Sequence, residues 1–253
     1  MWKQKLRIYK IERKERRYLQ KYAKKKEPWI EQKFAQKVPK KLQSTLESAF
    51  IKAFDLIFSK GVSWIEKTYD KDAFQQTTWK RNHKYTKRIA KHHVLGAGIS
   101  GVGLGLLGIG LPDIFLYTAL LFRNLYQIVL QNGFSYETSQ EKIFILLLLQ
   151  GTFCSGDELL NIHHKLNHRQ HLKLEEEIKC TASMMSHTLL TLKFVQGIPL
   201  VGSITGVYDA LYMHRLSEYA QIQYEKRRFY HNVEQKYIKN KKLKFLALYS
   251  LQC

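Results

Sequence analysis

Proline appears four times and cysteine three times in 253 residues, and both scarcities narrow what the chain can be. Pro28, Pro39, Pro112 and Pro199 leave long stretches free of the residue that interrupts helices, and β-branched runs with strict alternation are just as rare. Cys154, Cys180 and Cys253 are odd in number and form no CxxC pair, so there is no disulfide framework and a reducing cytoplasm is the natural setting. Acids are short too: 21 Asp and Glu face 42 Lys and Arg, a net charge of +21. P-loops, serine nucleophile elbows and EF-hand loops are missing, so no enzyme class emerges from motifs. The basic opening MWKQKLRIYKIERKERRYLQ is never followed by the apolar stretch that a signal peptide requires.

What is present reads as an all-α protein: a single helical bundle with Gly-rich apolar helical segments and a basic N-terminal helical arm. Leu42, Leu46, Ala49, Ala53, Leu56, Ile57, Trp64 and Ile65 recur at helical spacing and predict a long amphipathic helix over 42–69, with Gly61 as its candidate breakpoint. Thr138 with Glu141, and Ser155 with Glu158, fit the capping box and predict helix starts near 139 and 156. The first of these helices, KIFILLLLQ, is apolar all round and must be buried in protein or lipid; a further helix starts near Leu174. Residues 1–37 look helical but too polar to bury much, which marks them as an arm. The expected division is a basic arm at 1–37, a helical domain at 38–230 and a basic tail at 231–253.

Charge is concentrated at the ends. Residues 1–41 hold sixteen Lys and Arg against four acids, and residues 222–245 hold eight against two. A third cluster, Lys80, Arg81, Lys84, Lys87, Arg88 and Lys91, abuts residues 94–122, which carry Asp113 as their one formal charge. A polybasic flank beside an apolar segment suits an anionic membrane surface, where each Lys or Arg contributes on the order of 1 kcal/mol. Seven glycines among residues 94–112 weaken the case for insertion and favour packing inside the bundle. Gly96 to Gly101 and Gly103 to Gly108 both match GxGxxG, but Lys91-His92-His93 precedes them in place of a buried strand, so close helix packing explains them better than a dinucleotide.

Several stretches together resemble the EcsC protein family: Val38-Pro39-Lys40-Lys41-Leu42 leading to Ile65-Glu66-Lys67-Thr68-Tyr69, the Gly-rich run closing in Leu111-Pro112-Asp113-Ile114, the run from Arg123 to Gly133-Phe134, and Gln196 to Asp209. The resemblance implies a bacterial intracellular accessory protein near an ABC-type exporter, because the family is named from an operon that encodes such a transporter's ATPase and membrane subunits. It implies no catalytic residue.

Three sites follow from the residues. Lys80, Arg81, Lys84, Lys87, Arg88 and Lys91 are the expected membrane-docking cluster. Asp113, Tyr117, Asn124 and Gln131 form a polar stripe on an apolar helix, with Asp209 and Arg215 of the second Pro-started segment as partners, making an inter-helix polar site. His164 and His168, at i and i+4 and joined by His171 on a face with Asp157 and Glu175, have the spacing of a zinc pair, although Lys165 stands where a zinc hydrolase places its Glu. No cofactor is expected, with zinc the one candidate. The leading reading is a non-catalytic, cytoplasmic accessory protein docked at the inner membrane face through its basic clusters, with exporter subunits as partners. A metal-dependent hydrolase on the 157–175 face is the first rival and a nucleic-acid-binding protein the second; nucleic acid is disfavoured because the basic clusters bracket apolar segments.

Overall fold

The computed structural model describes residues 2–24, 40–68, 111–195 and 206–249. Within these, the side chains at 3, 61–68, 111–116, 170, 192–195, 206–210, 236 and 239–249 lie outside the description. Among the described residues there are seven α-helices and no strand: α1 (Trp2–Ala23), α2 (Lys40–Thr68), α3 (Leu111–Gln131), α4 (Ser139–Phe153), α5 (Gly156–Asn167), α6 (Leu174–Val195) and α7 (Gly206–Tyr249), with a 3-10 turn at Arg169–His171. α4 packs against α5, α6 and α7; α2 packs against α3 and α6, α3 against α7, and α1 against α5 and α7.

The position of α4 follows from its sequence. Ile143, Phe144, Ile145, Leu146, Leu147, Leu148 and Leu149 leave no polar side, and all are buried. Burying an aliphatic or aromatic side chain of this size stabilises by about 1.5–3 kcal/mol, which makes the helix the centre of the core. Its start is set by Thr138, which has an extended backbone and whose side-chain oxygen accepts from the Glu141 amide at 3.2 Å. Phe54 and Phe58 of α2 pack on Phe122 of α3, and Phe122 packs in turn on Tyr126, closing the core on the far side.

α3 ends in a Schellman turn. Phe134 N–H donates to the Val129 carbonyl at 3.1 Å and Gly133 N–H to that of Leu130 at 3.0 Å. Gly133 has φ +82°, the left-handed conformation that this cap needs and glycine takes without steric cost.

Helix starts at 139, 156 and 174 agree with expectation, although Ser155 makes no side-chain cap bond. α2 runs unbroken through Gly61, since one helical glycine costs only about 1 kcal/mol relative to alanine. The expectation that residues 1–37 bury little does not hold for α1. Ile11, Glu15, Tyr18 and Tyr22, spaced by four, three and four, form one buried seam against α5 and α7. α7 continues through 231, where the basic tail was expected to begin, to Tyr249. No described helix is long and apolar enough to cross a membrane. The Gly-rich segment 94–110 and the basic cluster Lys80, Arg81, Lys84, Lys87, Arg88 and Lys91 lie outside the described residues.

Candidate functional site

An apolar cylinder such as α4 has no preferred rotation or depth until polar groups supply one, and here both its ends are held by arginines of α7. At the start, Glu141 is buried and meets Arg227 through two parallel bonds of 2.8 Å, with the Tyr224 hydroxyl donating to the same carboxylate. This is the bidentate geometry in which guanidinium and carboxylate match best. At the other end, Arg215 is buried and donates to the carbonyls of Gly151, at 3.2 Å, and Cys154. Those carbonyls have no helical partner of their own, and a cation there also meets the negative end of the helix dipole. Between the arginines, Gln150 donates to Glu177 at 2.7 Å and to Thr181 at 3.0 Å, tying α4 to α6.

Arg215 also opens a second network. Its Nε donates to the Tyr18 hydroxyl at 3.2 Å, and its guanidinium lies 4.2 Å from the centre of the Tyr22 ring. Tyr18 stacks on Tyr219, with centroids 4.7 Å apart and planes at 8°. The Tyr219 hydroxyl lies 3.0 Å from Nδ1 of His163, whose Nε2 is 3.4 Å from Glu15. Glu15 accepts from Gln223 at 2.9 Å and from Lys226 at 2.8 Å. Nδ2 of Asn167 also lies 3.4 Å from Nε2 of His163; the tautomer with its proton on Nε2 faces the Glu15 carboxylate and leaves Nδ1 to accept from Tyr219.

Protonation states agree with this arrangement. Burial pushes the His163 pKa below its ordinary value, more strongly than Glu15 lifts it, and Lys226 and His164 add to the depression. Burial, then Tyr18, raises the Tyr219 hydroxyl well above its usual range, and burial pushes the Cys154 thiol up to about 12. A Glu–His–Tyr chain has the connectivity of a base relay, but the Tyr219 hydroxyl at its end is harder to ionise than in water and its ring is fully buried. The chemistry available is hydrogen bonding that fixes the mutual register of α1, α5 and α7.

Of the expected polar site, Asn124 of α3 donates to Ser217 of α7 at 2.7 Å, so these two helices share a polar contact through a serine in place of the expected residues; α7 begins at Gly206, and Pro199 lies outside the described residues. Tyr117 is buried and Gln131 exposed. Arg215 faces Tyr18, Tyr22 and the α4 carbonyls, and the side chains of Asp113 and Asp209 lie outside the description. The histidine face is cut short. α5 ends at Asn167, so His171 and Glu175 are not on the helix that carries His164. His164 and His168 are exposed with rings stacked at 4.3 Å, and Nδ1 of His168 lies 3.0 Å from the His164 carbonyl at the helix end. Among the described residues no group of three or more His, Cys, Asp or Glu is placed to hold a metal ion.

Glu15, His163 and Tyr219 were absent from the expected sites, yet two of them leave a trace in the sequence. His163 sits among Leu159, Ile162 and Leu166, the buried side of α5, while Glu15 falls in the seam with Ile11, Tyr18 and Tyr22.

These features define an all-helical bundle whose buried polar groups lock helix to helix. The chain matches the EcsC protein family over residues 3–229, about nine-tenths of its length, and belongs to that family. The match takes in nearly all of α1, in keeping with its place in the bundle. No curated protein and no solved structure matches the chain.

Proposed function

We propose that the protein is a non-catalytic accessory at the inner face of the cell membrane, docked there through Lys and Arg and working beside an ABC-type exporter. The observation that carries the membrane part is the division of α1 into two sides. Ile11, Glu15, Tyr18 and Tyr22 face the bundle, while Lys5, Arg7, Lys10, Arg13, Arg16 and Arg17 are exposed. Over Trp2–Ala23 there are nine Lys and Arg against two acids, and one of those acids, Glu15, is already paired with Lys226. Six exposed cations near anionic lipid supply on the order of 6 kcal/mol at low salt, enough for reversible attachment. The polar network supports a non-catalytic reading, since its buried ionisable groups are engaged with one another. Partnership with an exporter rests on family resemblance.

Sedimentation with vesicles containing phosphatidylglycerol, compared with duplex and RNA at matched ionic strength, tests the membrane part. Binding that needs the anionic lipid and is released by salt is the expected result, while preference for nucleic acid would replace it. Cross-linking in native membranes that recovers no exporter subunit would remove the second part.

A further inference from the structure

We infer that the projecting ends of α1 and α7 together form the element that enters the lipid interface; this rests on the membrane reading above and names the surface responsible. The two helices are antiparallel. Lys14 pairs with Glu225 at 3.2 Å, Lys21 with Glu218 at 4.0 Å, and Glu15 with Lys226 at 2.8 Å. Each residue backwards along α1 is therefore matched by one forwards along α7. Continued in the same register, Tyr9 comes level with Tyr230, Leu6 with Val233 and Trp2 with Tyr237.

All six of these side chains are exposed, Trp2 at 75% and Tyr237 at 69%, and Ile238 joins them. Of the ten large hydrophobic side chains exposed among the described residues, these seven belong to this one end; Leu130, Leu160 and Leu211 are the others. Beyond Phe229 every described side chain of α7 is exposed, so the pair runs past the core. Bundle packing does not account for apolar surface there, and an exposed apolar cluster of this kind marks a contact site.

The composition selects the partner. Trp and Tyr prefer the bilayer interface, and Lys and Arg beside them extend their charged ends to the headgroups while their stems lie on the apolar layer. Here Lys5, Arg7, Lys10 and Arg13 are exposed on α1, and α7 adds Lys236, Lys239, Lys241, Lys242 and Lys244 in sequence against a single acid, Glu234. A nucleic-acid backbone satisfies the charges but offers nothing to Leu6, Val233 and Ile238. An anionic bilayer surface satisfies both. So many charges preclude a span, and the pair lies in the plane of the interface.

Full-length protein is sedimented with phosphatidylglycerol/phosphatidylcholine vesicles and with phosphatidylcholine alone, for the wild type and for a Leu6→Ser, Val233→Ser, Tyr237→Ser variant. These positions are exposed, so the fold should tolerate the changes, and the variant's helical circular dichroism and melting are measured alongside. The Trp2 contribution to fluorescence, taken as wild type minus Trp2→Phe, is followed with brominated acyl chains as quencher. The inference expects anionic-vesicle binding, quenching of the Trp2 component, and affinity at least about tenfold lower in the triple variant, equivalent to about 1.4 kcal/mol. Wild-type binding with no Trp2 quenching and an unaffected variant would overturn the inference and leave the membrane reading standing, with docking elsewhere. Absence of wild-type binding, or tighter binding to duplex or RNA, would overturn both.

Discussion

Gly151→Ala puts helix propensity against packing at one atom. An alanine Cβ at this position would stand 2.6 Å from Cε1 of Tyr219 and 3.4 Å from Cδ1 and Cζ. Replacing glycine with alanine inside a helix ordinarily stabilises by about 1 kcal/mol. The ring that must move is confined: it stacks on Tyr18 at 4.7 Å, holds His163 at 3.0 Å and is fully buried. Overpacking a tight core contact costs about 1–3 kcal/mol. Displacing the hydroxyl from His163 adds the penalty of a buried unsatisfied polar group, about 1–3 kcal/mol. Less the propensity gain, the net is a loss of about 1–5 kcal/mol, a large share of the 5–15 kcal/mol typical of a native protein. Urea unfolding followed by circular dichroism measures it. In a Tyr219→Leu background, where the ring is gone, the same substitution should cost much less or turn favourable. A Gly151→Ala protein as stable as the wild type would refute the close packing of α4 on α7 at this point.

Other consequences are open to the same assays. Glu141→Gln should lower stability by about 2–4 kcal/mol, because Arg227 is left half-buried without its carboxylate, and adding Arg227→Met should recover part of the loss; strictly additive effects would show that the pair is not coupled. Arg215→Lys keeps the charge but loses the fork that spans Tyr18, Gly151 and Cys154, so a loss of about 1–3 kcal/mol with faster amide exchange at the end of α4 is expected, and unchanged exchange would argue against capping. His163 has a folded pKa below its ordinary 6.5, so the unfolded chain takes up a proton first; its contribution to stability is complete above about 6.5 and declines as pH falls from there towards the depressed value. His163→Gln should flatten that part of the curve of stability against pH, and an identical slope in wild type and variant would show that another histidine governs it.

What could be read from the sequence was local. Thr138 and Glu141 lie three positions apart, and their amide and hydroxyl meet within one turn, so the start of α4 was visible in four residues. Burial of α4 followed from a run with no polar side. The register of α1 was not visible, because nine cations outweigh the four inward positions that make its seam, and because the partner of Glu15 stands 211 positions away. Arg215 was expected to answer a carboxylate. Its described partners include two backbone carbonyls, which every residue carries and no side-chain pattern reveals. The histidines mislead for a related reason: the i, i+4 spacing of His164 and His168 is conspicuous, whereas His163 earns its place only through the neighbours Leu159, Ile162 and Leu166.

α7 links the two halves of this account. Arg215 and Arg227 grip α4 from positions twelve residues apart, about 18 Å along the helix, which is close to the length of α4 between Glu141 and Cys154. The same helix continues beyond Arg227 into the exposed end that the register of the ion pairs sets level with Trp2, Leu6 and Tyr9. Its root is held on two sides, by Glu141 on Arg227 and by Glu15 on Lys226, with Lys14 on Glu225 alongside. A projecting pair fixed in this way meets a surface with its backbone already ordered, so on the proposed reading docking avoids the ordering cost that a flexible basic tail would incur on binding. That separates the two basic ends from simple charged tails: loosening the root with Glu15→Gln should weaken vesicle binding although Glu15 itself is buried and repels anionic lipid, whereas a charge-only mechanism predicts that removing an acid strengthens it.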